Sequence, residues 1–208
     1  MSLHDLAEHR TERTQIVDGF TFQEWPKTHR LFRTVVITEK IDGTNAAIHV
    51  SPDGRVAAQS RKRLITPTAD NYALAVWVHE HADTLAAILG PGVHFGEWWG
   101  NKIQRGYGLD ARTFSLFNTG LWGPSGAAPL EPRIVGAATL DVVPVLHEGL
   151  FSEDAIRFTL ERLTEYGSVA APGFMNPEGI CIFHTMSRQV MKVTLDNYDA
   201  GKWEALAA

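Results

Sequence analysis

The chain has a single cysteine, Cys181, among 208 residues, which rules out an internal disulfide and any multi-cysteine zinc site and fits a reducing compartment. No apolar run approaches the roughly 18–20 residues needed to cross a bilayer, and the opening Met-Ser-Leu-His-Asp-Leu-Ala-Glu-His-Arg is too polar for a secretory leader. These absences predict a cytoplasmic protein with no membrane partner. Positive charge is not in excess either. With a formal net charge of −5, any polynucleotide must be held by a local basic patch rather than by an overall field. Nine histidines form no HExxH arrangement, and neither a GxxxxGK[ST] phosphate loop nor a GxSxG nucleophile elbow occurs.

What is present is the composition of an ordinary globular protein, 44% hydrophobic and 21% charged, with 18 glycines and 10 prolines. The length suits one domain over 1–208 with a sizeable core. Neither an internal repeat nor a low-complexity tract interrupts it.

Short strand-like segments dominate. Val35 to Val50 and Arg55 to Ser60 read as two strands joined by the turn Ser51-Pro-Asp-Gly54, a hairpin whose far end brings Ser60-Arg61 toward Lys40. Further strands are expected over Val93 to Trp98, Thr113 to Phe117, Arg133 to Ala138, Leu140 to Val145, Gly179 to His184 and Gln189 to Leu195. The spacing of Leu74, Trp77, Val78, Leu85, Ile88 and Leu89 predicts one helix between Asp70 and Leu89, stopped by Gly90-Pro-Gly92. A second helix, Glu153 to Tyr166, has Ser152 as N-cap and Gly167 beyond its end. Gly120 to Pro132 is a loop. The layout implies an α+β fold of antiparallel sheets flanked by helices.

A lysine is a nucleophile only when neutral, and the ordinary side-chain pKa of about 10.4 keeps it charged at neutral pH. Lys40, in Lys-Ile-Asp-Gly-Thr-Asn45, stands at a strand end where burial and neighbouring cations can alter that balance. By itself Lys-x-Asp-Gly also fits an inert strand end, because Asp-Gly is a common turn. Glu97, within His94-Phe-Gly-Glu-Trp-Trp-Gly100, and Glu178, within Asn176-Pro-Glu-Gly-Ile180, are either turn acids or a pair able to hold a hard divalent ion. Lys192, inside Val190-Met-Lys-Val193, needs a partner if it sits in a strand core, and a phosphate would suit it. Phe114 and Phe117 fit core positions or, for one of them, a purine stack. Arg61, Lys62 and Arg63, with Lys102 and Arg105, form either a solvated face or a nucleic-acid patch. Cys181, between Ile180 and Ile182, reads as a buried strand residue rather than a nucleophile.

The order of these segments is more telling than any one of them. Lys40-Ile-Asp-Gly43, Ser60-Arg61, Phe95-Gly-Glu97, Phe117, Glu178-Gly179 and Lys192 resemble motifs I, Ia, III, IIIa, IV and V of the covalent nucleotidyltransferases, the superfamily of ATP-dependent ligases and mRNA capping enzymes. Glu39-Lys-Ile-Asp-Gly-Thr-Asn45 and Phe-Gly-Glu-Trp look most like the RNA ligase 2 branch, which includes phage enzymes. The resemblance runs from Phe20 to Asn197.

It implies an ATP-grasp-like ligase catalytic domain that uses ATP with Mg2+ or Mn2+. Lys40 would carry AMP through a phosphoramidate bond, and the AMP would pass to a 5′-phosphate that a 3′-hydroxyl then attacks. The substrate implied is RNA, or a nicked duplex. Glu39, through its backbone, Ile41, Asp42, Gly43, Asn45, Arg61, Glu97 and Phe117 would surround the nucleotide. Glu178 and Glu97 would serve the metal, and Lys192 the α-phosphate. A phage-encoded copy would work in the host cytoplasm.

Two features depart from the family pattern. Motif V usually has two lysines one residue apart, yet Val190 and Thr194 flank Lys192 at that spacing. About eleven residues follow Asn197, so no separate C-terminal OB or helical domain is expected, and a helper protein is one substitute. A DNA nick ligase, a GTP-dependent capping-type guanylyltransferase and a non-catalytic nucleic-acid-binding relic of the fold are the competing readings.

Overall fold

The structure is a computed structural model, and it describes residues 16–196. The polar opening of the chain and Asn197 lie outside the described residues. The chain divides into two compact units, Met1–Arg30 and Leu31–Ala208. In the first, β1 (Ile16–Val17) and β2 (Phe20–Thr21) pair antiparallel around Asp18 and Gly19, both at positive φ.

The second unit contains β3 (Thr34–Lys40), β4 (Thr44–Val50), β5 (Val56–Ser60), β6 (Leu64–Ile65), α1 (Leu74–Glu80), α2 (Ala82–Leu89), β7 (Gly92–Gly100), β8 (Arg112–Leu116), α3 (Thr119–Trp122), β9 (Arg133–Val135), β10 (Ala138–Val142), β11 (Val145–Leu150), α4 (Glu153–Tyr166), β12 (Gly179–His184) and β13 (Gln189–Thr194). It is mostly sheet. Seven strands run in the order β6-β5-β4-β7-β8-β10-β9 and four in the order β11-β3-β12-β13. All neighbours are antiparallel except the parallel pair β8 and β10. The expected flanking helices are few and short, apart from α4.

Alternating side chains send one face of each sheet into a main core, and the opposite face of the larger sheet is also covered at Trp99, Thr113 and Ser115. Ile48, Trp98, Phe114 and Leu140 of the larger sheet pack with Leu74, Trp77 and Leu85 of α1 and α2. Val35, Ile37, Ile180 and Ile182 of the smaller sheet pack with Leu160 and Leu163 of α4. A third cluster, Ile41, Trp99, Tyr107, Val143 and Ala171, sits where the two sheets meet. No described helix is long and apolar enough to cross a membrane.

The hairpin Thr44–Ser60 forms as expected, with Ser51 N–H donating to Arg55 O across its turn. The segment before it does not continue into one strand. Residues 41–43 carry the chain from the smaller sheet to the larger, so Val35 to Val50 is two strands in two sheets. The single helix expected over Asp70 to Leu89 is likewise two, parted at His81 (φ −117°, ψ 26°). The cause is tertiary. The His81 ring packs edge-on against Trp77 and lies over Gly136, where a Cβ would collide with it. Helix α4 keeps its expected bounds, with Ser152 Oγ accepting from Ala155 N–H. Val145 belongs to β11, a separate strand at the edge of the smaller sheet, and the expected loop after Gly120 begins within the one-turn α3.

Candidate active site

Lys40 ends β3 on the face turned away from α4. Val35, Ile37 and Glu39 point toward the helix side and are buried, which leaves Val36, Thr38 and Lys40 on the opposite face. Register extends that face across the sheet: Thr38 lies opposite Cys181, Lys40 opposite Gly179, and Cys181 opposite Lys192. Directly opposed residues share a face. Lys40, Cys181 and Lys192 therefore line one surface. Lys192 is not in a strand core, because β13 is an edge strand and its side chain is open to solvent. Cys181 is a strand residue as expected, half-buried, and burial pushes its thiol above the ordinary range.

Lys40 Nζ is 2.5 Å from Glu178 Oε1, with side chains 21% and 16% exposed. Glu178 Oε2 is buried and has no hydrogen-bond partner among the described residues. A desolvated carboxylate oxygen without a donor is costly unless something positive meets it. It fits a divalent cation. No cluster of three or more metal-ligating side chains occurs among the described residues, so Glu178 would share such an ion with oxygens of a bound ligand.

Glu97 projects from β7 and is committed elsewhere. Its Oε1 accepts from Gly43 N–H (3.1 Å) and its Oε2 from Asn45 Nδ2 (2.7 Å). Glu97 thus differs from Glu178 in that each of its oxygens already accepts one hydrogen bond. The Lys40-to-Asn45 turn is thereby tied to the larger sheet. Gly43 has to be glycine, because a Cβ there would lie 2.5 Å from Trp98 O and 2.7 Å from Trp99 Cβ.

Burial pushes the Glu97 carboxyl from 4.5 up to about 7; the Asn45 amide, the Lys40 charge and Gly43 N–H oppose the rise, and the Glu178 charge adds to it. The folded chain then binds more protons at this site than the unfolded chain between those two values. Stability from this group is present below about pH 4.5 and is lost as pH rises toward 7. In urea unfolding at pH 4.5 and 7.5, the stability of wild type relative to Glu97→Gln should fall by about 3 kcal/mol at the higher pH. A pH-independent difference would show that the carboxyl titrates normally.

Other expected site residues divide. Phe117 is 42% exposed just past β8, whereas Phe114 is fully buried in the core. Arg61 and Lys62 are exposed beyond β5, at the end of the hairpin where Ser60 faces Ala46, two residues after Thr44. Arg63 spends Nη1 on Ala69 O, and Lys102 is exposed. Ile41 is a core residue, so only its backbone is left for a ligand.

The Glu39 carboxylate points away from Lys40 and accepts from Ser168 Oγ, Val169 N–H and Ala170 N–H, while its own N–H donates to Pro144 O. Burial pushes this carboxyl up against those hydrogen bonds. Its work is to anchor the loop after α4. Arg105 is not a free surface cation but is bonded to Asp42. Sequence reasoning missed Tyr107, whose hydroxyl accepts from Asp42 N–H at 2.8 Å. The flanking Gly106 and Gly108 signalled only a loop.

A family model described as RNA ligase matches residues 33–194. Among solved structures the chain is similar to RNA ligases of Naegleria gruberi. A ligand-free mutant is 19% identical with a TM-score of 0.53, covering 80% of this chain and 50% of that one. A mutant with AMP and Mn is 18% identical with a TM-score of 0.54, covering 81% and 51%. A further mutant with ATP and Mn is 16% identical with a TM-score of 0.54, covering 80% and 50%. This chain thus spans about half the length of those proteins. No curated protein sequence matches it.

Proposed function

Because this chain belongs to the RNA ligase family, we propose that it is an ATP-dependent RNA ligase whose unit Leu31–Ala208 forms a covalent lysyl-AMP on Lys40. The observation that carries this reading is the Lys40–Glu178 pair with its unpartnered Glu178 oxygen, on the same face as Lys192. The similar Naegleria gruberi RNA ligases solved with ATP or AMP and Mn support the choice of nucleotide and metal.

Lys40 Nζ attacks the α-phosphorus of ATP. An N–P bond forms, the bond from that phosphorus to the bridging oxygen breaks, pyrophosphate leaves, and the amine releases its proton to solvent. Lys192, reaching in from β13, and Arg61, at the end of the β4–β5 hairpin, balance charge on the transferred phosphoryl group. Glu97 and Asn45 orient the ribose, and Phe117 offers its exposed ring to adenine. A Mg2+ or Mn2+ ion held by Glu178 would add positive charge beside the amine and the phosphoryl oxygens. AMP then passes to a 5′-phosphate, and the 3′-hydroxyl of the neighbouring end displaces it to close the phosphodiester.

The second reading, a DNA nick ligase, differs only in the sugar at the junction. Nicked duplexes with ribose or deoxyribose on either side of the nick separate the two. Efficient sealing is expected where the junction carries ribose. Equal or better sealing of an all-deoxyribose nick would reject the RNA assignment.

A further inference from the structure

Arg105 lies in the loop between β7 and β8, on the larger sheet, yet all its bonds run to segments that hold the smaller sheet's functional groups. Its Nε is 3.1 Å from Asp42 Oδ2, two residues after Lys40. Its Nη1 donates to Asn176 O at 3.0 Å and approaches Pro177 O at 3.5 Å, directly before Glu178. Its Nη2 pairs with Asp196, two residues after the end of β13 and four after Lys192.

With its side chain 15% exposed, Arg105 is held under these partners rather than displayed. The loop is bent to put it there: Lys102 (φ 60°), Gln104 (φ 47°) and Tyr107 (φ 53°) all take left-handed backbone. Three such non-glycine residues together are strained, and the bonds they make possible must offset that strain. Tyr107 adds a second tie to the same turn through Asp42 N–H, its ring centroid lying 4.9 Å from that of Trp99 and 4.6 Å from that of Phe174.

We propose that Arg105 is a positioning residue that fixes the lysine turn, the approach to Glu178 and the end of β13 in one arrangement. It rests on the ligase reading for its effect on rate, and on geometry alone for the clamp. A planar guanidinium can address three directions at once, whereas a lysine ammonium on a flexible stem cannot hold all three. A misplacement of about 1 Å among reacting groups can cost on the order of a hundredfold in rate.

The test uses the full chain as wild type, Arg105→Ala, Arg105→Lys and Asp196→Asn. Hydrogen exchange by mass spectrometry should show residues 40–46 and 172–180 loosening together, by about tenfold or more in both Arg105 variants, while β7 keeps its protection. Single-turnover AMP attachment with ATP and Mn2+ should slow by about 10–100-fold in both, with ATP affinity changed by less than about threefold. Asp196→Asn should give a smaller slowing and loosen 189–196, and it decides the matter if Arg105→Ala fails to fold. Full rescue of rate and protection by Arg105→Lys would overturn the clamp in favour of a simple charge, as on a nucleic-acid surface. Loosening of only one segment would also overturn it. A wild type that takes up no AMP would reject the ligase reading, and the exchange data would still decide the clamp.

Discussion

Lys40→Ala should give a folded protein that takes up no AMP. The amine is the group that would form the N–P bond, and no other lysine shares its place opposite Gly179 at the end of β3. Lys40→Arg should be equally inert, because a guanidinium stays protonated at any working pH. Removing the amine leaves Glu178 unpaired on both oxygens, since its Oε2 already lacks a partner among the described residues, so the alanine variant should lose about 1–3 kcal/mol of stability. Addition of a divalent cation should restore part of that loss. Intact-mass measurement after incubation with ATP and Mn2+, alongside urea unfolding with and without the ion, checks both effects. AMP uptake at the wild-type level by either variant would move the nucleophile elsewhere.

Glu178→Gln is the second large effect. The amide preserves size but removes the charge that faces Lys40 and the hard oxygen donor that a divalent ion prefers. Loss of several kcal/mol of electrostatic support corresponds to a fall of about 10²–10³-fold in the rate of AMP attachment. The variant should also need a much higher Mn2+ concentration for half-maximal rate, which a merely structural role would not produce. Glu97→Gln provides the contrast: its carboxylate is occupied by Gly43 and Asn45, so metal demand should stay near that of wild type. A shift in metal demand for Glu97→Gln, with none for Glu178→Gln, would reverse their assigned roles.

Local elements were easier to read from the sequence than the connections between them. Alternating apolar residues marked β3 and β12, and helical spacing with a serine cap marked α4, because those signals are local. Lys40, Glu97, Glu178 and Lys192 stand on or beside strands, where their order along the chain could be read. The split at Ile41–Gly43 was hidden, because a strand's side-chain period does not say which sheet it joins. Ile41 looked like part of a ligand motif and is a core residue between the sheets. Arg105 looked like a surface cation, since its partners lie 63 to 91 residues away in sequence. The helix break at His81 was equally invisible: Leu74, Trp77, Val78, Leu85 and Leu89 remain buried on both sides of it, and Gly136 belongs to another element.

The most direct measurement is to incubate the full chain with isotopically labelled ATP or GTP and Mn2+, denature it, digest it, and map any covalent nucleotide by mass spectrometry. A single AMP, from ATP, is expected on the peptide containing Lys40. GMP from GTP in place of AMP, nucleotide on another residue, or no adduct under any combination of nucleotide and metal would contradict it.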